Sequence, residues 1–160
     1  MSDGKILAAC ENGAYVIRMT GDVRLTLCTT IDEYFHKMFE DPNFASVWVD
    51  LCEVEGIDST TLGLLAQLAI EAKEKFGFTP AIYSCNTGIN RLLKSMGFQR
   101  LFEIHEEVCA STEFGHEVSM VQGTEQAVRE QVIEAHRVLM DLSDDNKARF
   151  KDLMAALEAQ

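Results

Sequence analysis

The run Val47-Trp48-Val49-Asp50-Leu51, then Cys52-Glu53-Val54-Glu55-Gly56-Ile57, then Asp58-Ser59-Thr60-Thr61-Leu62-Gly63-Leu64-Leu65 constrains this fold more than any other stretch. Ala45 to Leu51 is short, β-branched and aromatic. It is too apolar for a strand with one wet face, so it reads as a central buried strand. The acidic residues that follow read as a loop from Cys52 to Ile57. From Ser59 to Phe76 the residues Leu62, Leu65, Ala66, Ala69 and Lys73 share one helical face, and Gly77 stands just beyond as a stop signal. A buried strand that passes through a polar connection into a helix is the repeating unit of a parallel α/β sheet.

The neighbouring segments extend that unit. Lys5–Cys10 and Ala14–Thr20 are β-compatible runs joined by the turn residues Glu11, Asn12 and Gly13. Thr29–Glu40 carries Ile31, Phe35, Met38 and Phe39 at helical spacing and stops at Asp41-Pro42. Pro80–Tyr83 reads as a strand, and Ile89, Leu92, Leu93 and Met96 as a helical stripe ending at Gly97, with Phe98 packing back. The order β-β-α-β-α-β-α predicts an α/β fold: a mostly parallel sheet of four or five strands, an antiparallel edge hairpin, and helices packed on it. Strand signals stop near residue 117, and a two-helix extension follows, divided at Leu142-Ser143. Its first helix carries Val128, Val132, Ala135, Leu139 and Leu142, and its second Phe150, Leu153, Met154 and Leu157 behind the capping run Ser143-Asp144-Asp145. Such stripes ordinarily pack on the parent domain, the alternative being a partner-binding or dimerising hairpin. The expected division is 1–116 and 117–160, with the boundary inside Cys109–Gly123.

Charge narrows the function. The 160 residues include 26 acidic and 14 basic side chains, a net charge of -12, which repels phosphate backbones and anionic membranes. Nucleic acid and membrane are thereby disfavoured as partners, and no run approaches the roughly 18–20 apolar residues of a membrane span. Cys10, Cys28, Cys52, Cys85 and Cys109 make an odd set without CxxC spacing, as expected of reduced, mostly buried cytoplasmic thiols and not of a metal site. His36, His105, His116 and His136 are scattered and read as surface or interface residues, while Trp48 reads as core. The chain has no GxSxG elbow, GxxxxGK[ST] loop or GxGxxG fingerprint, so neither catalysis nor a cofactor is expected.

What remains is the helix start. Its unpaired N–H groups and dipole partly stabilise a phosphate, so a hydroxyl at Ser59 is placed to carry one. The ordinary role of Asp58 or Ser59 there is a helix cap, worth about 1 kcal/mol. Ile57-Asp58-Ser59-Thr60-Thr61-Leu62-Gly63-Leu64-Leu65 after a strand ending Asp50-Leu51, with Lys73-Glu74-Lys75-Phe76-Gly77 and Asn90-Arg91-Leu92-Leu93 to Met96-Gly97-Phe98, resembles the STAS domain family over about residues 5–110. Its soluble bacterial members are anti-sigma-factor antagonists.

The resemblance implies phosphorylation at Ser59, with Asp58, Thr60, Thr61, Asp50, Asp22 and Gly63 flanking the acceptor or facing partners, and Thr60 and Thr61 as secondary acceptors. It implies an anti-sigma factor or serine kinase as partner, a PP2C-type phosphatase, and a second effector for the phosphorylated state. The unphosphorylated form would sequester the anti-sigma factor, and phosphate, at about -1.5 to -2 charge, would change partner beside Asp50, Glu53, Glu55 and Asp58. Gly21-Asp22-Val23-Arg24 departs from the family's usual Gly-Glu-Leu-Asp, which points to a dedicated partner. The added helices resemble extensions of Gram-negative antagonists tied to motility and surface growth. Two other readings are a small-ligand STAS adaptor and a receiver domain with Asp50 as acceptor. For a receiver, Cys10-Glu11-Asn12 and Glu103–Cys109 lack the needed acidic pair and lysine.

Overall fold

The computed structural model describes residues 2–109 and 115–159. It begins with β1 (Lys5–Glu11) and β2 (Ala14–Val23), an antiparallel hairpin closed by Asn12 and Gly13 at φ 52° and 83°. Two consecutive positive φ values are those of a type I′ turn, the hairpin connection whose twist matches its strands. Gly13 also lies so close to the Asn43 carbonyl that no side chain fits there.

The chain continues through α1 (Cys28–Glu40), β3 (Ser46–Ile57), α2 (Ser59–Phe76), β4 (Ala81–Tyr83), α3 (Thr87–Ser95), β5 (Glu103–His105), β6 (His116–Glu117), α4 (Glu125–Leu142) and α5 (Asp144–Glu158). The strands form one six-stranded sheet in the order β5-β4-β3-β2-β1-β6. β2, β3, β4 and β5 run parallel, and both neighbours of β1 are antiparallel to it. The fold is α/β as expected, with three corrections. The sheet has six strands, not four or five, because β5 and β6 are only 3 and 2 residues long and carry little β signal. β6 covers β1, so the hairpin is not the edge. Its strand also falls at the expected boundary of the extension, where residues 110–114 lie outside the described ones.

The third correction bears on the site. Cys52 to Ile57 is not a loop: β3 runs through it, paired with the far end of β2 up to Val23↔Ile57, with register shifts between Arg18 and Thr20 and between Gly21 and Asp22. Val54 is buried while Glu53 and Glu55 are exposed. That alternation is the strand period, which the acids disguise as a solvent loop. Trp48 is half-buried where core was expected, and its indole N–H donates to Cys109 Sγ at 3.3 Å. All five thiols are free; Cys28 and Cys109 are buried, Cys52 is half-buried, and Cys10 and Cys85 are exposed, so the expectation of mostly buried thiols fails.

The extension packs on its parent. α4 lies along α2 and touches α1, and Ala135 and Leu139 are completely buried. α2 is therefore buried almost all round, including Leu64 and Leu68, which the one-sided stripe of its sequence leaves outside. Ser143 caps α5 by accepting from Asn146 N at 3.1 Å. The fully buried Asn146 then donates through Nδ2 to Met96 O at 2.9 Å and Leu139 O at 2.8 Å, tying α5 to both the end of α3 and α4. Arg100 donates to Leu142 O at 2.7 Å across the same seam.

Candidate functional site at the start of α2

β3 delivers the chain to Asp58, whose extended backbone (φ -91°, ψ 170°) makes it the N-cap of α2. Its Oδ1 accepts from Thr61 N at 2.9 Å and from Thr61 Oγ1 at 2.8 Å, while Oδ2 accepts from Leu25 N at 2.7 Å. One carboxylate thus satisfies a helix donor and pins the segment after β2 to the helix start. Between the two capping candidates of the sequence, the cap is Asp58, which leaves the Ser59 hydroxyl for other work.

Burial separates the three hydroxyls. Thr60 and Thr61 are 3% and 0% exposed, and Thr61 already bonds to Asp58. Ser59, the first helical residue, is half-buried. Its Oγ lies 2.7 Å from His136 Nε2, on α4 and 77 residues away in sequence. His136 Nδ1 lies 2.6 Å from Val132 O, and since a carbonyl only accepts, Nδ1 donates there. Nε2 and the Ser59 hydroxyl are then paired, the hydroxyl donating to Nε2 in the tautomer protonated at Nδ1 alone. The imidazole is 1% exposed and packs edge-on against Phe150, with ring centroids 5.1 Å apart.

The other expected residues divide into near and far. Gly63 lies one turn along α2, against Ala135. Asp22 bonds Arg24 Nε through both oxygens at 2.9 and 3.0 Å, and these bonds push the Arg24 guanidinium above its ordinary range. Arg24 also feels the Asp58 charge, and with the exposed Leu25 it forms the open rim of the helix start. The cation in the departing Gly-Asp-Val-Arg run therefore belongs to this rim.

Asp50 does not. It is 2% exposed, pairs with Arg18 Nε at 3.0 Å, and stands roughly 25 Å along β3 from the helix start at ~3.3 Å per residue. It is a structural ion pair and not a neighbour of Ser59, which corrects its expected place at the site. Glu55 is occupied by Ser2, accepting from its backbone N at 2.7 Å and its Oγ at 3.0 Å.

Sequence spacing missed His136. Its signal was a polar residue on the otherwise apolar stripe Val132-Ala135-Leu139 of α4. Among the described residues no group of three or more His, Cys, Asp or Glu side chains is placed to hold a metal, and no helix is long and apolar enough to cross a membrane.

Comparison with known proteins agrees with this architecture. No curated protein sequence matches the chain. Among solved structures, an anti-sigma factor antagonist from Mycobacterium paratuberculosis superposes with a TM-score of 0.57 at 16% identity, covering 66% of this chain and 87% of that one. At that identity the likeness is one of fold. The STAS domain matches residues 5–110, from the first strand past β5, and includes the whole β3–Asp58–Ser59–α2 unit. On that match, over most of its length, the chain belongs to the STAS domain family.

Proposed function

We propose that this chain is a cytoplasmic bacterial anti-sigma-factor antagonist, a binding protein and not an enzyme, switched by phosphorylation of Ser59. In its unphosphorylated form it binds and sequesters an anti-sigma factor. A serine kinase, which is the anti-sigma factor itself or a separate protein, modifies Ser59, and a PP2C-type phosphatase reverses the modification. The phosphorylated form releases the first partner and takes a second.

The observation that carries this reading is the isolation of one hydroxyl. Within a matched STAS domain, Ser59 opens a long helix at the end of a buried parallel strand, while Thr60 and Thr61 are buried and Asp58 has taken over capping. The fold likeness to a protein described as an anti-sigma factor antagonist points the same way. A dianion there would meet the Asp58 charge, which the α2 dipole offsets only in part, with Arg24 as the nearby cation. Burying that dianion against a partner without a basic pair costs several kcal/mol, enough to reverse partner choice.

The test is phosphopeptide mass spectrometry of the chain from its native cells, with co-purified proteins identified for wild type, Ser59→Ala and Ser59→Asp. A single phosphate at Ser59, absent from Ser59→Ala, with an anti-sigma factor retained by Ser59→Ala and lost from Ser59→Asp, is expected. Equal retention by both variants refutes the switch.

A further inference from the structure

We propose that the α4–α5 hairpin is a built-in lid over Ser59: docked, it closes the acceptor face of α2, and any protein acting there must first displace it. This rests on the reading of Ser59 as the acceptor only for its biological meaning, since the occlusion is a statement about geometry.

Three contacts place the lid on that face. The Ser59 hydroxyl is bonded to a His136 ring that is itself buried. One turn further, Gly63 meets Ala135 so closely that a Cβ on the glycine would stand 2.5 Å from Ala135 Cβ and 2.6 Å from its carbonyl carbon. Beyond the helix, Gln131 Oε1 accepts from Thr29 Oγ1 at 3.0 Å and Cys28 Sγ at 3.1 Å, fastening α4 to the start of α1. With hydroxyl and imidazole at 2.7 Å, α4 covers the side of Ser59 that faces it and leaves the serine half-buried, so a kinase active site or a partner surface gains full access to the hydroxyl only when α4 moves.

The same seam has a polar flank. Along one side α4 leaves a groove lined by Asp32, His36, Gln67, Glu130, Gln131 and Glu134, in which three carboxylates face one imidazole. Contacts of that kind are weak and hydrated, and they rim an apolar contact made by Leu64 and Ala127 and, deeper, by the fully buried Ala135 and Leu139, which opening would expose. The segment before α4 is held to the body, Val118 N donating to Ile6 O at 2.8 Å and Val121 N to Thr30 Oγ1 at 2.9 Å. Movement is thereby confined to the hairpin beyond Gln122. A protein that replaces the lid must offer what α4 offers: a small residue against Gly63 and an acceptor for the Ser59 hydroxyl.

The experiment reads access directly, without kinase or partner. A thiol is introduced by Ser59→Cys, and its alkylation by iodoacetamide is followed by peptide-mapped mass spectrometry, with the exposed Cys10 as reference in the same molecule. In the otherwise unaltered full chain the introduced thiol is expected to react at least tenfold more slowly than Cys10. Adding Ala135→Glu to unseat α4 should raise its rate at least tenfold, while amide exchange of β3 stays slow. Should Ala135→Glu unfold the whole chain, seen as loss of β3 protection, Gly63→Ala in the same Ser59→Cys background decides. A thiol that matches Cys10 in the unaltered chain, or a rate that neither variant raises, overturns the lid. A chain never phosphorylated in cells would still give the expected rates, so failure of the phosphoswitch and failure of the lid are separable.

Discussion

Gly63→Ala sets two terms of opposite sign against each other and reads them in different parts of the molecule. Glycine inside a helix is about 1 kcal/mol less favourable than alanine, so the change strengthens α2. The new methyl, however, would sit 2.5 Å from Ala135 Cβ, where ordinary contact begins near 3.4 Å, so α4 must retreat by roughly 1 Å or more. Overpacking of this kind costs about 1–3 kcal/mol, and here the loss falls on the α2–α4 contact and not on the sheet. At ~1.4 kcal/mol per tenfold, opening of the α4–α5 hairpin should become roughly 5- to 150-fold easier. Global unfolding of the sheet should be unchanged or slightly harder. Hydrogen exchange resolved by segment separates the two: protection should fall in α4 and α5 and hold in β3. Equal rises in protection in α4 and β3 would show that helix propensity alone acts and that α4 does not press on Gly63.

Three further outcomes follow from named contacts. Asn146→Ala removes both donors that tie α5 to Met96 O and Leu139 O and leaves two buried carbonyls unpaired, so the hairpin should lose about 2–4 kcal/mol, measured as increased exchange across α5. His36 is held above its ordinary value, first by the bond of Nδ1 to Asp32 O at 2.8 Å and then by the Asp32, Glu71 and Glu40 charges. A raised histidine contributes stability that is full below pH ~6.5 and is lost as pH rises through its folded value; NMR titration should place it above 6.5, and His36→Ala should flatten that part of the stability profile. The Cys52 thiol is pushed up to about 12, chiefly by burial and then by its contact with Cys85, so at pH 8 alkylation should reach Cys10 well before Cys52. Comparable rates at the two thiols would contradict this.

What the sequence disclosed and what it withheld differ in range. α2 with its Gly77 stop, the hairpin turn at Asn12-Gly13 and the Ser143 cap all follow from signals within a few residues, and all are present. The end of β3 was hidden because Glu53 and Glu55 face solvent around a single buried Val54, so local polarity outweighed the alternation. β5 and β6 are too short to carry a pattern, and they exist only because neighbouring strands offer open edges. Ser59 was singled out by the resemblance around it, but its hydrogen-bond partner was not. His136 lies 77 residues away, and only tertiary packing brings the two together.

This long-range pairing bears on how the domain is controlled. In the STAS region alone, the start of α2 would present a hydroxyl, a capped helix end and the small Gly63 to solvent, a surface ready for any complementary protein. α4 supplies that complement from within the same chain, at an effective concentration that a separate partner must overcome. Competition of this sort lowers apparent partner affinity by the fraction of chains with the lid open, and whatever loosens the hairpin restores it. Phosphorylation of Ser59, as proposed, would have a second consequence beyond repelling a partner. A phosphoryl group on Ser59 would remove the hydroxyl proton from the Ser59–His136 contact, so α4 could not reseat with the same hydrogen bond. The modified chain would expose the inner stripe of α4 along with the acceptor face, and a second effector could read that stripe only in the phosphorylated state.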